Sequence, residues 1–406
     1  MSLAKEKLHM AFLNAYESLN PKQRIAVDTI DGPVMVIAGP GTGKTQILAN
    51  RIGKILLETD TLPQNILCLT YTDAGVVAMR KRLLDFIGAD AYKVNLHTFH
   101  SFCNMVIQEN IRHFNKKELE ALGDLERVQY LKQLIDSFQK DNPLKRYKGE
   151  IYYDLENLAA LFSAIKREGW SEEWLLEKID EYITEILPET EGFYNKREKK
   201  KGIFVLTQKG KEEVERMEKL KAAIQAFEPY QNILHENHRY DYDDMITWVI
   251  SMFENNPDIL LNYQEQLQYI LVDEYQDTSG TQNRIVELLI SYWQDEKPNL
   301  FVVGDDDQSI YRFQGANLKN MMSLAEKFEK DLVKVVLTEN YRSVQPILDA
   351  ARHLIENNEQ RLVKQYKDLT KELTTANPDL KGLEIFPEIN IYENEFSENV
   401  HIANAV

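Results

Sequence analysis

Cysteine is scarce in this 406-residue chain: there are two, Cys68 and Cys103, far apart, outside any metal-ligand spacing, and each in an apolar or aromatic segment. That excludes a disulfide scaffold and a thiolate zinc site, and it predicts two reduced thiols with structural roles. Long apolar runs are missing too. Nothing approaches the roughly 18 residues that span a bilayer, and the start, MSLAKEKLHM, lacks the apolar centre of a signal peptide. No membrane partner is expected, and the cytoplasm is the default compartment. Internal repeats and low-complexity tracts are absent from the sequence, so solenoid and disordered architectures drop out. Positive charge is also in short supply, with 48 Lys and Arg against 65 Asp and Glu, a net charge of −17. Taken alone, this opposes a nucleic-acid partner, whose phosphates draw Lys and Arg. A protein that repeatedly releases such a partner needs only a local basic or aromatic groove. One local excess exists, Lys196-Arg197-Glu198-Lys199-Lys200-Lys201. It reads first as a solvated loop and second as a contact for duplex phosphates.

What is present describes a folded protein. Hydrophobic residues make up 43% of the chain and charged residues 28%, ordinary for a globular chain, and the length suits two or three domains. Pro33 to Ala38 (PVMVIA) and Asn65 to Thr70 (NILCLT) read as buried strands, each followed by a helical pattern, starting near Thr45 and Ala74. From about Ile111 to Tyr230 β-branched runs give way to Leu/Glu/Lys-rich text with helical spacing. Strand-like runs return at Tyr269 to Val272, Leu300 to Val303 and Leu332 to Leu337. The expected fold class is α/β: a parallel sheet with helices on both faces, interrupted by a mostly helical inserted domain. The expected boundaries are 1–110, 111–230 and 231–345. Beyond Pro346 a helix, a loop near Asn377-Pro378 and a strand from Glu384 to Tyr392 are expected to begin another domain.

The strongest chemical signal is Ala38-Gly39-Pro40-Gly41-Thr42-Gly43-Lys44-Thr45, between a strand and a helix. Glycines let backbone N–H groups close around phosphate oxygens, and the helix N-terminus adds positive dipole. In such a loop Lys44 reaches the β- and γ-phosphates of ATP and Thr45 ligates Mg²⁺. The first position usually holds Gly, and here a small residue, Ala38, replaces it. A second strand, YILV, ends in Asp273-Glu274. Asp273 is expected to hold Mg²⁺ through water, and Glu274 to orient and deprotonate the attacking water.

The segments LNPKQRIAV, VDEYQDTSGTQ, GDDDQSIYRFQGA and LTENYRS, in this order, resemble the superfamily 1 DNA helicases of the UvrD, Rep and PcrA type, over nearly the whole chain. The resemblance implies a RecA-like motor that couples ATP hydrolysis to 3′ to 5′ movement on single-stranded DNA and duplex unwinding, in DNA repair or replication. It implies that Gln23 reads the adenine edge, that Arg51 lies near the nucleotide, and that Tyr341 stacks on the base. Gln308 would sense the γ-phosphate, and Arg342 would reach it and stabilise charge in the transition state. Thr70, Tyr71, Thr72, Thr98, Phe99, His100, Tyr311 and Phe313 would line the groove for single-stranded DNA. His97 and His100 lack partners with metal-ligand spacing.

The chain also departs from the family pattern. Asp73-Ala74 stands where Asn-Lys is common, Phe313 where Trp is usual, and Gln314 where Arg is usual, which predicts weaker DNA contact or altered coupling. Gly192 to Gly210 reads as an extra loop or hairpin. The family's second RecA-like domain, which brings another arginine to the γ-phosphate, has no recognisable motifs after Ser343. The resemblance therefore implies an N-terminal portion, monomeric, that binds ATP with little turnover and needs that further domain in cis. Two alternatives stay open: the motor part of a helicase–nuclease of the RecB or AddA type, and a non-motor module in which ATP gates DNA binding.

Overall fold

The computed structural model describes residues 3–114, 119–194, 205–293, 297–309, 318–358, 361–365 and 369–405. Ten strands are named in chain order: β1 (Val34–Ala38), β2 (Ile66–Thr70), β3 (Asn95–Thr98), β4 (Glu120–Ala121), β5 (Arg239–Tyr240), β6 (Tyr269–Val272), β7 (Leu300–Gly304), β8 (Val333–Leu337), β9 (Glu339–Asn340) and β10 (Thr374–Thr375). Six form one parallel sheet in the order β3-β2-β6-β7-β1-β8.

The central strands are apolar at every position because both faces of the sheet are covered. Alternation then divides their side chains between two cores. Met35 and Ile37 of β1, Leu67 and Leu69 of β2, Ile270 and Val272 of β6, and Leu300 and Val302 of β7 face one cluster with Phe102, Val249 and Phe253. The alternate residues Val34, Val36, Ile66, Cys68, Leu271 and Phe301 face the other, with Ile47 and Ile52 of the helix Lys44–Glu58. The five strands expected from apolar runs are thus all present. The sixth, β3, reads Asn-Leu-His-Thr, and only Leu96 of it is buried. It sits at the sheet edge, where little apolar sequence is needed.

Cys68 and Cys103 are free and buried in opposite cores, and burial pushes both thiols up from their ordinary pKa. Between β3 and β6 lies a third, separate cluster of helices, with Leu131, Leu158, Phe162, Ile165, Ile224, Tyr230 and Leu234 at its centre. The expected end of the insertion at Tyr230 falls inside the helix Phe227–Glu236, whose Leu234 still belongs to this cluster. Parallel pairing of β4 with β5 brings the two ends of the segment together. Lys166 fixes the cluster to the sheet-bearing part of the chain, with Nζ 2.7 Å from Asp241 Oδ2 and 2.8 Å from Asp244 Oδ1.

The strand expected from Glu384 to Tyr392 does not form. Residues 383–392 carry no strand, and Ile389 and Ile391 are 90% and 92% exposed. A strand needs a ladder partner, and β-branched residues alone do not supply one. The pairing found in this region is β9 with β10 instead.

Phe162 stacks on Tyr230 at 5.0 Å and tilts against Phe227 at 5.5 Å. Phe162→Ala is expected to cost about 3–5 kcal/mol in denaturant unfolding. A loss under about 1 kcal/mol would mean that the helical cluster does not depend on this aromatic stack.

Candidate nucleotide site and nucleic-acid face

All six sheet strands run parallel, so the loops following them gather at one edge, where α/β sheets hold ligands. The loop after β1 is Gly39 to Gly43, and a helix begins at Lys44. Gly41 and Gly43 adopt φ of +70° and +91°, a left-handed backbone that side chains oppose. Close approach makes a second demand. A Cβ at Gly39 would stand 2.8 Å from Leu373, one at Gly41 2.7 Å from the Cβ of Arg342, and one at Gly43 2.8 Å from Gln23 Nε2. Thr42 Oγ1 donates to Gly39 O at 2.7 Å, and Gln23 Nε2 donates to Thr42 O at 2.8 Å.

Asn340 fastens the loop to the segment after β8. Its Nδ2 donates to Pro40 O at 2.5 Å, and its Oδ1 accepts from the backbone N–H of Arg342 and Ser343 at 2.8 and 2.7 Å. Tyr341 N donates to Gly41 O at 2.9 Å, while its hydroxyl donates to Glu339 at 2.8 Å and accepts from Asn20 at 3.1 Å. Asn20 and Gln23 form a capping box at the start of the helix Pro21–Asp28. Gln23, Tyr341 and Arg342 therefore gather around the glycine loop. The Arg342 side chain is exposed and makes no hydrogen bond or ion pair among the described residues.

Opposite the loop, β6 delivers two acids. Asp273 N donates to Leu69 O at 2.8 Å, which sets Asp273 at the strand end, and its Oδ1 accepts from Glu274 N at 3.0 Å. Burial first, and the charge of Glu274 second, push the Asp273 carboxyl up to about 6. Glu274 has φ of +49°, unusual for a residue with a side chain, and its Oε2 lies 2.6 Å from Lys44 Nζ. Magnesium needs hard oxygen ligands, and the donor set fits. Asp273 offers a carboxylate, and the Thr45 hydroxyl makes no hydrogen bond among the described residues.

Gln276 joins these acids to the next loop. Its Nε2 donates to Glu274 Oε2 at 3.0 Å and to Asp277 Oδ2 at 2.9 Å, and its Oε1 accepts from Asp305 N at 2.8 Å. Gln308 Nε2 donates to Oδ2 of the same Asp305.

The loops after β2 and β3 lie along the same edge. Tyr71 is 47% exposed there. Thr70 donates to Thr72 O at 3.0 Å, Thr72 caps the following helix by accepting from Gly75 N at 3.1 Å, and Thr98 caps the next by accepting from Ser101 N at 3.2 Å. Asp73 stands in the first turn of the helix Asp73–Ile87, where its charge complements the helix dipole. His100 packs edge-on against the exposed Tyr242 at 6.2 Å, with Nε2 3.8 Å from Asp243 Oδ1. Tyr311, Phe313 and the basic run Lys196 to Lys201 lie outside the described residues. Tyr194 and Leu206 form an antiparallel bridge.

Residues 19–329 match the family described as UvrD/REP helicase N-terminal domain. The chain belongs to the UvrD/Rep helicase family. It is 31% identical over 394 residues to the ATP-dependent DNA helicase PcrA of Bacillus subtilis, covering 96% of this chain and 44% of that protein. It is 30% identical to the PcrA of Staphylococcus aureus and 29% identical to that of Staphylococcus epidermidis, covering 85% and 86% of this chain. The chain spans less than half the length of these curated relatives, 44% and 41%.

Two positions in this UvrD/Rep chain differ from expectation. Phe99 is 3% exposed and belongs to the core beneath the edge, not to a groove on it. It begins a helix, and the apolar face of that helix turns it inward. Arg51 is buried two turns along the helix Lys44–Glu58, where its guanidinium donates to the carbonyls of Ala26, Thr29 and Ile30 and stacks 4.5 Å from the Phe301 ring. It ties down the end of the helix Pro21–Asp28. Gln276 and Asn340 were not singled out in the sequence, although both stand inside the quoted segments VDEYQDTSGTQ and LTENYRS.

Asp277 is also pushed up to about 6, by burial and then by Glu274. Against an ordinary value of 3.8, the folded chain retains protons between about pH 4 and 6 that the unfolded chain releases. The charged acids therefore weaken the fold fully above about pH 6 and not at all below about pH 4. Asp273→Asn is expected to stabilise the nucleotide-free chain by about 3 kcal/mol at pH 7.5, with most of the gain lost by about pH 4. Thermal melts across that range read it, and a gain independent of pH would contradict the assigned cause.

Proposed function

We propose that this chain binds Mg²⁺·ATP at the glycine loop and carries the hydrolytic residues of the motor part of a DNA helicase, which moves 3′ to 5′ on single-stranded DNA during repair or replication. The observation that carries this is the pairing of Lys44 with Glu274 at 2.6 Å across the edge of the sheet. A phosphate-binding cation and a general base converge on one point. The names of the relatives, all ATP-dependent DNA helicases, support the same reading.

In this mechanism the glycine loop and Lys44 hold the phosphates, and the N-terminus of the helix Lys44–Glu58 faces them with its unpaired N–H groups. Thr45 and Asp273 would hold Mg²⁺, which when bound neutralises charge on the β- and γ-phosphates. Glu274 orients a water for in-line attack and takes its proton, and Gln276 fixes the carboxylate that does so. Arg342, whose side chain makes no hydrogen bond or ion pair among the described residues, is available to the developing charge. Gln23 and Tyr341 supply the amide and the ring for the base. Tyr71, with Thr72 and His100, offers a stacking face for DNA at the same edge, and stacking serves any sequence because every base has a π-face.

Lys44→Ala is expected to abolish nucleotide binding, read by fluorescence titration. Glu274→Gln should keep affinity within about threefold and slow phosphate release by a factor of about 10² or more. Undiminished hydrolysis by the Glu274 variant would remove its assignment as base. Tyr71→Ala is expected to weaken single-stranded DNA binding by about 1–3 kcal/mol regardless of sequence, without changing nucleotide affinity. Equal DNA binding by this variant would remove Tyr71 from the proposed track.

A further inference from the structure

One charged cluster beside this site has no role in the mechanism above. At the end of β7, Asp305 and Asp306 are buried, with Asp307 next to them. Three consecutive carboxylates in a poorly solvated place repel one another unless cations are supplied. Here the cations come from the segment beyond the helix Gln345–Ile355. Lys371 contacts Asp305 Oδ1 and lies 2.6 Å from Asp306 Oδ1 and 3.0 Å from Asp307 Oδ2. Arg361 forks onto Asp307, with Nε 2.7 Å from Oδ1 and Nη2 2.9 Å from Oδ2. Leu362 N donates to Asp306 Oδ2 at 2.8 Å. Burial works against the charge on Lys371, but the three carboxylates outweigh it and hold the pKa above its ordinary value. The lysine ammonium fills the position that a metal ion would need among these oxygens.

Asp305 is the junction. It receives Lys371 on Oδ1 and Gln308 on Oδ2, and its backbone N–H donates to Gln276, whose amide in turn holds Glu274. The same segment reaches the glycine loop directly, because Leu373 packs over Gly39. Leu373, Lys371, Gln308 and Pro40 share the wall of a cavity of about 260 Å³.

We infer that Lys371 is a positioning residue of the nucleotide site: by fixing Asp305 it orients Gln308 and, through Gln276, Glu274, so the seating of Arg361 and Lys371 is felt at the γ-phosphate. This rests on the nucleotide reading above and on the γ-phosphate role that the family resemblance implies for Gln308. An amide orients a ligand only as well as its own partner is held, and hydrogen-bond networks of this kind act as units. Withdrawal of the lysine removes the donor on Asp305 Oδ1, so the Asp305 side chain is no longer held and releases Gln308.

The test is discrimination between ATPγS and ADP by the whole chain with Mg²⁺, measured calorimetrically. A hydrogen bond to a charged phosphate corresponds to a preference of about tenfold for ATPγS. Gln308→Ala is expected to erase it. Lys371→Met is paired with Asp306→Asn so that the net charge of the cluster is unchanged, and this double variant is expected to erase the preference while leaving ADP affinity intact. Gln276→Met approaches the junction from the other side, and the same loss is expected. General destabilisation would weaken both nucleotides alike, so the ratio isolates positioning. Loss in Gln308→Ala with full preference kept in the Lys371 double variant and in Gln276→Met overturns this inference and leaves the nucleotide reading standing. An equal ratio in the unaltered chain and in Gln308→Ala overturns the γ-phosphate role itself.

Discussion

The rest of this structure depends on the parallel ladder that places β1 between β7 and β8. Ile37 pairs with Gly304, and Ala38 with Leu337, so three strands end within one residue of each other. The glycine loop, the Asp305–Gln308 loop and the Asn340–Arg342 segment leave the sheet side by side for that reason. β6 adds Asp273 and Glu274 on the far side of β7. No long-range recognition between loops is required, since register alone brings about their meeting. A slip of one residue would exchange the two cores and carry every site residue to the wrong face.

A consequence of this convergence is an unusual density of carboxylates in poorly solvated positions. Asp273, Asp277, Asp305 and Asp306 all stand near the carboxyl edge, and the cations set against them are few: Lys44 for Glu274, Lys371 and Arg361 for the acids after β7. Such an arrangement is poor for stability, because each buried carboxylate must be paired or neutralised. It also bears on the net charge of −17, which first opposed a nucleic-acid partner. Part of that charge is internal, as with Asp305 and Asp306, and does not present itself as a repulsive surface.

The sequence made the central sheet legible because strands buried on both faces are uninterrupted apolar runs. It made the glycine loop legible because the backbone conformation there tolerates almost nothing else. β3 was hidden by its edge position, where Asn95 and His97 need no core. Phe99 and Arg51 were misplaced for a shared reason: local text identifies an aromatic or a cation but not the face of the helix that carries it. The expected strand at residues 384–392 had suitable residues and no partner. Lys371 and Arg361 were invisible in principle, since their carboxylates lie 54 to 66 positions away along the chain.

Glu274 shows how these constraints meet in one side chain. Its left-handed backbone, φ +49°, costs about 1 kcal/mol for a residue bearing a Cβ, and such strain persists only where neighbours over-determine the conformation. The neighbours can be named. Asp273 accepts its N–H, Gln276 donates to its carboxylate, and Lys44 pairs with the same oxygen. Each of the three reaches it from a different direction: from the strand end, from the turn that follows, and from the helix after the glycine loop. The turn at Glu274 aims the carboxylate across the sheet edge toward that helix, and away from the solvent beyond β6. A relaxed backbone would direct it elsewhere, so the strain is the means by which a residue at a strand end comes to face the helix after the glycine loop.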